Sequence, residues 1–302
     1  MHRIKIAQNQ EKLKEVIRAM VLDAGFVRGR FLAPFNPHGS MPEQYRTGSP
    51  SLLVAALGYG NQNHTEPASD PYRGVIAPFA RRNYYRTAVR RLQELAKELR
   101  LRYGGAKADF RILCNSPVPE KPLAVACGLG VLGRNGLVIT PEAGSLIIIA
   151  AMTLPFEVIG DGPITGHYCA ACDPDLPPCA EACPTKGLCG DGSITLSRCI
   201  QWYASGREET VPAEVVRHWG NRLYGCTACQ DACVHNRRPL YGVRVEEGSL
   251  PAHLDLHELL EMSDEAMKAR FKGTALGFSW LGPQGIRRNA RMILEYLRQY
   301  KK

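Results

Sequence analysis

Apolar residues recur at helical spacing over Leu13, Val16, Ile17, Met20 and Val21, and Gly25 follows as a natural stop. Residues 52–57 are apolar without a break, which predicts a buried strand. Prolines and glycines punctuate residues 59–80, so a long irregular segment is expected there. Tyr85, Val89, Leu92, Leu95, Ala96 and Leu99 mark a second amphipathic helix, ended by Gly104 and Gly105. Residues 110–113 read as a strand and 120–127 as a short helix with prolines at its start. Residues 137–140 and 146–152, joined by a short polar turn, predict a β-hairpin. Towards the end, 256–271 and 286–300 look helical, with Ile286, Ala290, Ile293, Leu294 and Leu297 on one face. Helices and strands mixed in this order give an α+β fold.

The strongest chemical pattern lies between the two halves. Nine cysteines run from Cys169 to Cys233, and all but Cys189 fall into two four-member sets. Cys169 and Cys172 form a C-x2-C pair, and Cys179 and Cys183 a C-x3-C step followed by Pro184. Cys199 stands alone, and Cys226, Cys229 and Cys233 repeat the C-x2-C-x3-C spacing. A C-x2-C-x2-C-x3-C-P run is the bacterial two-cluster ferredoxin signature, in which the fourth cysteine ligates the other cluster. Here four extra residues widen the gap before Cys179. Under the crossed rule, Cys169, Cys172, Cys179 and Cys233 would hold one 4Fe–4S cluster. Cys183, Cys199, Cys226 and Cys229 would hold the other. A structural zinc site built from the C-x2-C pairs is the alternative, but it leaves the C-x3-C steps and Pro184 without a reason. Cys189 in place of Cys179 is a variant of the ligand set.

Composition bounds the rest. With 302 residues, 45% hydrophobic and 22% charged, the chain reads as a globular protein of about two domains. Its longest apolar run, residues 146–152, is far short of the ~20 residues a membrane helix needs. The first residues carry no apolar signal core. The expectation is therefore a cytoplasmic protein with reduced thiols rather than disulfides. Net charge is +9, unevenly placed. Residues 81–102 hold eight basic side chains against Glu94 and Glu98, and 267–302 hold nine against Glu295. Two readings stay open: a footprint for a phosphate backbone, or ordinary solvated helix faces. The glycines at 128, 130 and 133 satisfy G-x-G-x-x-G, but a helix precedes them and a strand follows. That is the reverse of the dinucleotide-binding context, so the motif reads as a tight turn.

The cysteine order and its surroundings resemble the epoxyqueuosine reductase family. The resemblance rests on residues 79–85 (FARRNYY), 115–121 (NSPVPEK), 128–135 (GLGVLGRN), 198–200 (RCI), 220–226 (GNRLYGC), 271–274 (FKGT) and 287–289 (RRN). It is to the short form, without the C-terminal helical repeats. It implies a reductase that uses cobalamin and two 4Fe–4S clusters on the epoxide of epoxyqueuosine in transfer RNA. Queuosine biosynthesis and tRNA processing would be the setting. It further implies an N-terminal mixed α/β cobalamin- and substrate-binding domain over 1–160. A ferredoxin-like double-cluster domain over 161–240 and closing helices over 241–302 would follow. Arg134, Asn135, Val138, Ile200, Thr227 and Ala228 would touch the corrin. Reduced ferredoxin or flavodoxin would donate electrons, and transfer RNA would dock on the basic helices. Three departures stand out. Cys114 occupies the position of the family's catalytic aspartate, the first cysteine loop is enlarged, and Val234 replaces a proline. Cys114 as proton donor, cobalt ligand, nucleophile or packing residue are the four readings of that site. An electron carrier or corrinoid-handling paralogue is the alternative function.

Overall fold

The structure, a computed structural model, describes residues 2–33, 49–59, 70–166, 168–173, 175–206, 209–237, 250–277 and 281–300. The chain opens with α1 (His2–Asp23), β1 (Arg28–Leu32), β2 (Ser51–Gly58), β3 (Arg73–Ile76), α2 (Tyr84–Tyr103) and β4 (Ile112–Leu113). Next come α3 (Glu120–Ala126), β5 (Val131–Leu132), β6 (Val138–Ile139) and β7 (Ile147–Leu154). The cysteine segment holds α4 (Pro178–Glu181), α5 (Ile200–Ala204), α6 (Ala213–Val216), β8 (Arg222–Tyr224) and α7 (Ala228–Asp231). The chain closes with β9 (His253–Asp255), α8 (Leu256–Glu261), α9 (Asp264–Phe271) and α10 (Gly282–Tyr300).

An antiparallel sheet of order β1-β2-β7-β4 is the centre of the first half. Strand alternation explains why β2 is apolar throughout. Leu53, Ala55 and Leu57 face α1 and α2, beside Ile17, Val21, Leu92 and Leu95. Leu52, Val54 and Ala56 face the other way, onto Leu123, Ala124, Leu129 and Val138. Both faces are covered, so neither set can be polar.

A second sheet, of order β8-β3-β9, stitches the chain together. β3 runs parallel to β8 and antiparallel to β9. Ile76 and Ala80 thus share a core with Trp219, Leu223, Phe271 and Ile293, and this core spans the segment boundaries at 160 and 240. No described helix is long and apolar enough to cross a membrane.

Three expectations are corrected. The hairpin of 137–152 does not form: β6 pairs with β5, whereas β7 lies between β2 and β4. The turn itself exists, with Thr140 N donating to Gly144 O at 2.8 Å. An eight-residue strand buried on both faces needs long partners, which β2 provides and the two-residue β6 cannot. The irregular stretch 59–80 contains β3, placed by partners more than a hundred residues away; residues 60–69 lie outside the described residues. The helix of 256–271 is two helices, because Ser263 caps the second by accepting from Ala266 N.

Candidate functional site

The eight cysteines of the 169–233 pattern sit on short elements. Cys179 lies on α4 and Cys183 just after it. Cys199 immediately precedes α5, Cys226 follows β8, and Cys229 and Cys233 bracket the C-terminal part of α7. α4 packs on α7. That packing sorts the thiols into two groups. Cys169, Cys172, Cys179 and Cys233 line one crevice, with Arg134, Asn135, Pro177 and His235 among its walls. Cys183, Cys199, Cys226 and Cys229 line a second cavity of about 270 Å³. Cys179 and Cys183, four residues apart, face different cavities. Cys189 is exposed, 3.9 Å from Thr195 Oγ1, and lines neither.

Burial pushes the Cys229 thiol up to about 12, and Cys226, Cys199 and Cys183 add to the shift. Cys199 is raised by burial too, with Cys226 and Cys183 contributing. In the other group burial raises Cys179 and Cys233, with Cys169 contributing to both. Thiolates so crowded and so desolvated need a strongly positive partner. Four thiols line each of the two cavities, an arrangement that could hold a cage of several irons.

The second cavity reaches beyond its cysteines. Tyr59, Phe79 and Tyr85 form an aromatic wall, Leu137, Ile147 and Ile148 an apolar one, and Gln201 and Gln230 supply amides. Among the described residues that line it there is no carboxylate and no histidine. A buried polar clasp fixes it to the first sheet. Gln230 Nε2 donates to Tyr59 Oη at 2.8 Å and to Ser145 O at 2.9 Å. Asn236 Nδ2 donates to Gln230 O at 2.8 Å, and Ser145 N donates to Asn236 Oδ1 at 2.8 Å. Gly144 permits this approach: its φ is +56°, and a Cβ there would lie 2.1 Å from Asn236 Oδ1. Burial raises the Tyr59 phenol above its ordinary range, so it stays neutral.

The residues predicted to touch a corrin separate in space. Asn135, Ile200 and Ala228 line the second cavity, and Arg134 lines the first crevice, where its Nη1 donates to Asp173 O at 3.1 Å. Val138 is buried in the core under the first sheet, and Thr227 bonds Asp231 at 2.8 Å; neither is among the described residues that line these two cavities. Tyr59, Gln201 and Gln230 were not read from the sequence. Gln230 had a signal in its place between Cys229 and Cys233, while Tyr59 had none. The G-x-G-x-x-G turn has a packing role: Gly128 has φ +69°, and a Cβ there would lie 2.4 Å from Gly162 O.

This arrangement matches known proteins along most of its length. A curated epoxyqueuosine reductase of Cyclobacterium marinum is 29% identical over 259 residues, 83% of this chain and 78% of that one. Its Staphylococcus aureus counterpart is 30% identical over 263 residues, 82% of this chain and 64% of the relative. A crystal structure of epoxyqueuosine reductase with an epoxyqueuosine-modified tRNA stem loop shares the fold, with a TM-score of 0.79 over 97% of this chain and 83% of that one, at 24% identity. These comparisons support the epoxyqueuosine reductase family. No family model matches the chain. Like its curated relatives it is an oxidoreductase, and it spans 64% to 83% of the length of these proteins.

Two features of this chain differ from what its sequence suggested. Cys114 does not line the cavity; its Sγ lies 3.8 Å from Ile149 O and 4.0 Å from Tyr85 O, behind a residue that does. Burial, with the Glu120 carboxylate adding to it, pushes its thiol up to about 12. The basic helices are also partly internal. Arg287 reaches Asp264 Oδ1 at 2.5 Å and Met262 O at 2.5 Å, and Arg288 reaches Tyr203 O at 2.5 Å. These side chains tie α10 to its neighbours and are neither a solvated face nor a free phosphate footprint. Arg86, Arg90 and Arg102 on α2 are exposed.

Proposed function

We propose that this protein is a cobalamin-dependent iron–sulfur reductase that acts on an epoxide or related electrophile in a transfer RNA nucleoside. The observation that supports it most is the division of eight thiols between two adjoining cavities, four to each, across the order of the sequence. Cys169, Cys172, Cys179 and Cys233 would hold one 4Fe–4S cluster, and Cys183, Cys199, Cys226 and Cys229 the other. Cobalamin would supply a low-potential, strongly nucleophilic metal for two-electron delivery. Its corrin would suit the apolar and aromatic walls of the second cavity.

The chain's own side chains have defined tasks. Tyr59, Phe79 and Tyr85 exclude water from one side, and the Gln230–Ser145–Asn236 clasp holds the Cys226–Cys233 loop against the first sheet. Removing an epoxide oxygen as water consumes two electrons and two protons. Reduced ferredoxin or flavodoxin fits as electron donor, entering at the Cys169 group. An electron carrier or corrinoid-handling paralogue is the second reading, favoured by one fact: the Cys114 thiol lies outside the cavity and stays protonated.

Anaerobic reconstitution followed by cobalamin addition separates the two readings. The reductase retains stoichiometric base-off cobalamin and converts epoxyqueuosine-modified transfer RNA in the presence of a low-potential donor. Cluster assembly with no retained cobalamin and no turnover would leave the electron carrier.

Transfer RNA docking is tested by salt. Arg86→Ala with Arg90→Ala is expected to flatten the dependence of log affinity on log salt by about two, because each lost phosphate contact removes roughly 0.9. Arg287→Ala is expected to leave that slope unchanged and to cost about 1–3 kcal/mol of stability in a denaturant titration, as its buried hydrogen bonds are lost. A slope change with Arg287→Ala and none with the α2 pair would reverse the assignment.

A further inference from the structure

Asn135 presents an unmet hydrogen-bond donor between the two cysteine cavities. Its side chain is 2% exposed and lines both the crevice of Cys169, Cys172, Cys179 and Cys233 and the cavity of Cys183, Cys199, Cys226 and Cys229. Its orientation is determined: Oδ1 accepts from Leu137 N at 3.2 Å, which leaves Nδ2 as the free end. Gly133 leaves room for it, since a Cβ there would lie 2.9 Å from Asn135 Oδ1. Nδ2 is buried and has no hydrogen-bond partner among the described residues. A buried amide N–H left unpaired costs about 1–3 kcal/mol, and such groups in folded proteins have a reason.

The walls suggest the reason. Cysteine sulfur lines both of the cavities that Asn135 walls. We infer that Asn135 donates an N–H···S hydrogen bond to iron–sulfur cluster sulfur, from the one side chain that walls both cluster sites. It is a positioning and tuning residue for electron transfer, distinct from a corrin contact. Reduction adds negative charge to the cluster, so a fixed N–H donor stabilises the reduced form more than the oxidised one and raises the reduction potential. The inference rests on the two-cluster reading, and the experiment checks that reading first.

The test uses the full chain, reconstituted anaerobically, with iron and sulfide assayed before anything else. Redox titration followed by EPR then compares wild type with Asn135→Leu and Asn135→Asp. Leu removes the donor at similar volume; Asp keeps the acceptor for Leu137 N, removes the N–H and adds a negative charge. With iron content unchanged, both variants are expected to shift at least one cluster to a more negative midpoint. At a fixed potential near that midpoint, the reduced-to-oxidised ratio should fall roughly tenfold for Leu, about the worth of one hydrogen bond to a charged group. Asp should shift it further, because it also adds negative charge. Wild-type midpoints in Asn135→Leu with full iron would overturn the inference, as would a shift confined to Asp. Loss of iron from Asn135→Leu alone, with Asn135→Asp intact and at wild-type potential, would reduce Asn135 to a packing role. A wild type that takes up no iron fails the cluster reading itself and is distinguishable at the first assay.

Discussion

Cys183→Ser is expected to remove the cluster of Cys199, Cys226 and Cys229 and to spare the one that contains Cys179, its neighbour in sequence. Iron should fall from about eight to about four per chain after reconstitution, since each cubane carries four. The reason is geometric. α4 ends between the two residues, so Cys179 faces the first crevice and Cys183 the second cavity. Gly187 N donates to Cys183 Sγ at 3.2 Å, which orients the sulfur. Cys233→Ser makes the mirror-image test: it follows α7, which carries Cys229, yet its loss should empty the crevice of Cys169 and Cys172. Iron analysis with EPR of the surviving cluster reads both outcomes. Two variants that lose the same cluster would show that the ligands do not cross, and zinc at one per chain with no iron would end the iron–sulfur reading.

The proposed crossing comes from the C-x3-C spacing and its ferredoxin precedent, and the cavity linings are what support it. The helices were legible for a related reason: a 3.6-residue period states which face is buried, and α1, α2 and α10 follow it. What the sequence hid is long-range pairing. β3 has four residues, a glycine inside it and prolines on either side, so nothing local marks it as a strand. Its partners lie near 223 and 254. The false hairpin at 137–152 has the same cause: two apolar runs and a turn specify a reversal, and only the register of β2 against β7 decides the pairing. Charge misled in the opposite direction. Arginine counts suggested a surface, whereas Arg81, Arg91 and Arg287 are less than a tenth exposed, and Arg91 Nη1 bonds Gly25 O at 2.7 Å. Neither Tyr59 nor the orphaned amide of Asn135 leaves a trace in spacing, since both are defined by what stands opposite them.

Cys114 should resist alkylation about 10³-fold more strongly than an ordinary free thiol at pH 8. The cause is the raised pKa: burial and Glu120 hold the thiol near 12, against about 8.5 for an exposed cysteine. The sign follows from the charged form being disfavoured. Below about pH 8.5 the thiol is neutral folded or unfolded and costs nothing; between there and about 12 only the unfolded chain ionises, so this group destabilises the fold as pH rises. Mass spectrometry of iodoacetamide-treated protein across pH 7 to 11, with the exposed Cys189 as internal reference, measures the effect. Rapid labelling of Cys114 at pH 8 would mean a thiolate, and with it a nucleophile or cobalt ligand. A protonated thiol behind Tyr85 is instead a poor acid, so Cys114→Ser should leave turnover within a few-fold of wild type. Cys114→Asp separates the remaining possibilities. A carboxyl group in the same half-buried place would have its pKa raised towards neutrality, where general-acid assistance is worth up to about 10²–10⁴-fold. In a reductase limited by proton supply, Cys114→Asp holds or raises turnover of epoxyqueuosine-modified transfer RNA. If turnover is lost in Cys114→Ser and Cys114→Asp alike while both clusters remain, the thiol has chemistry of its own and the packing reading fails.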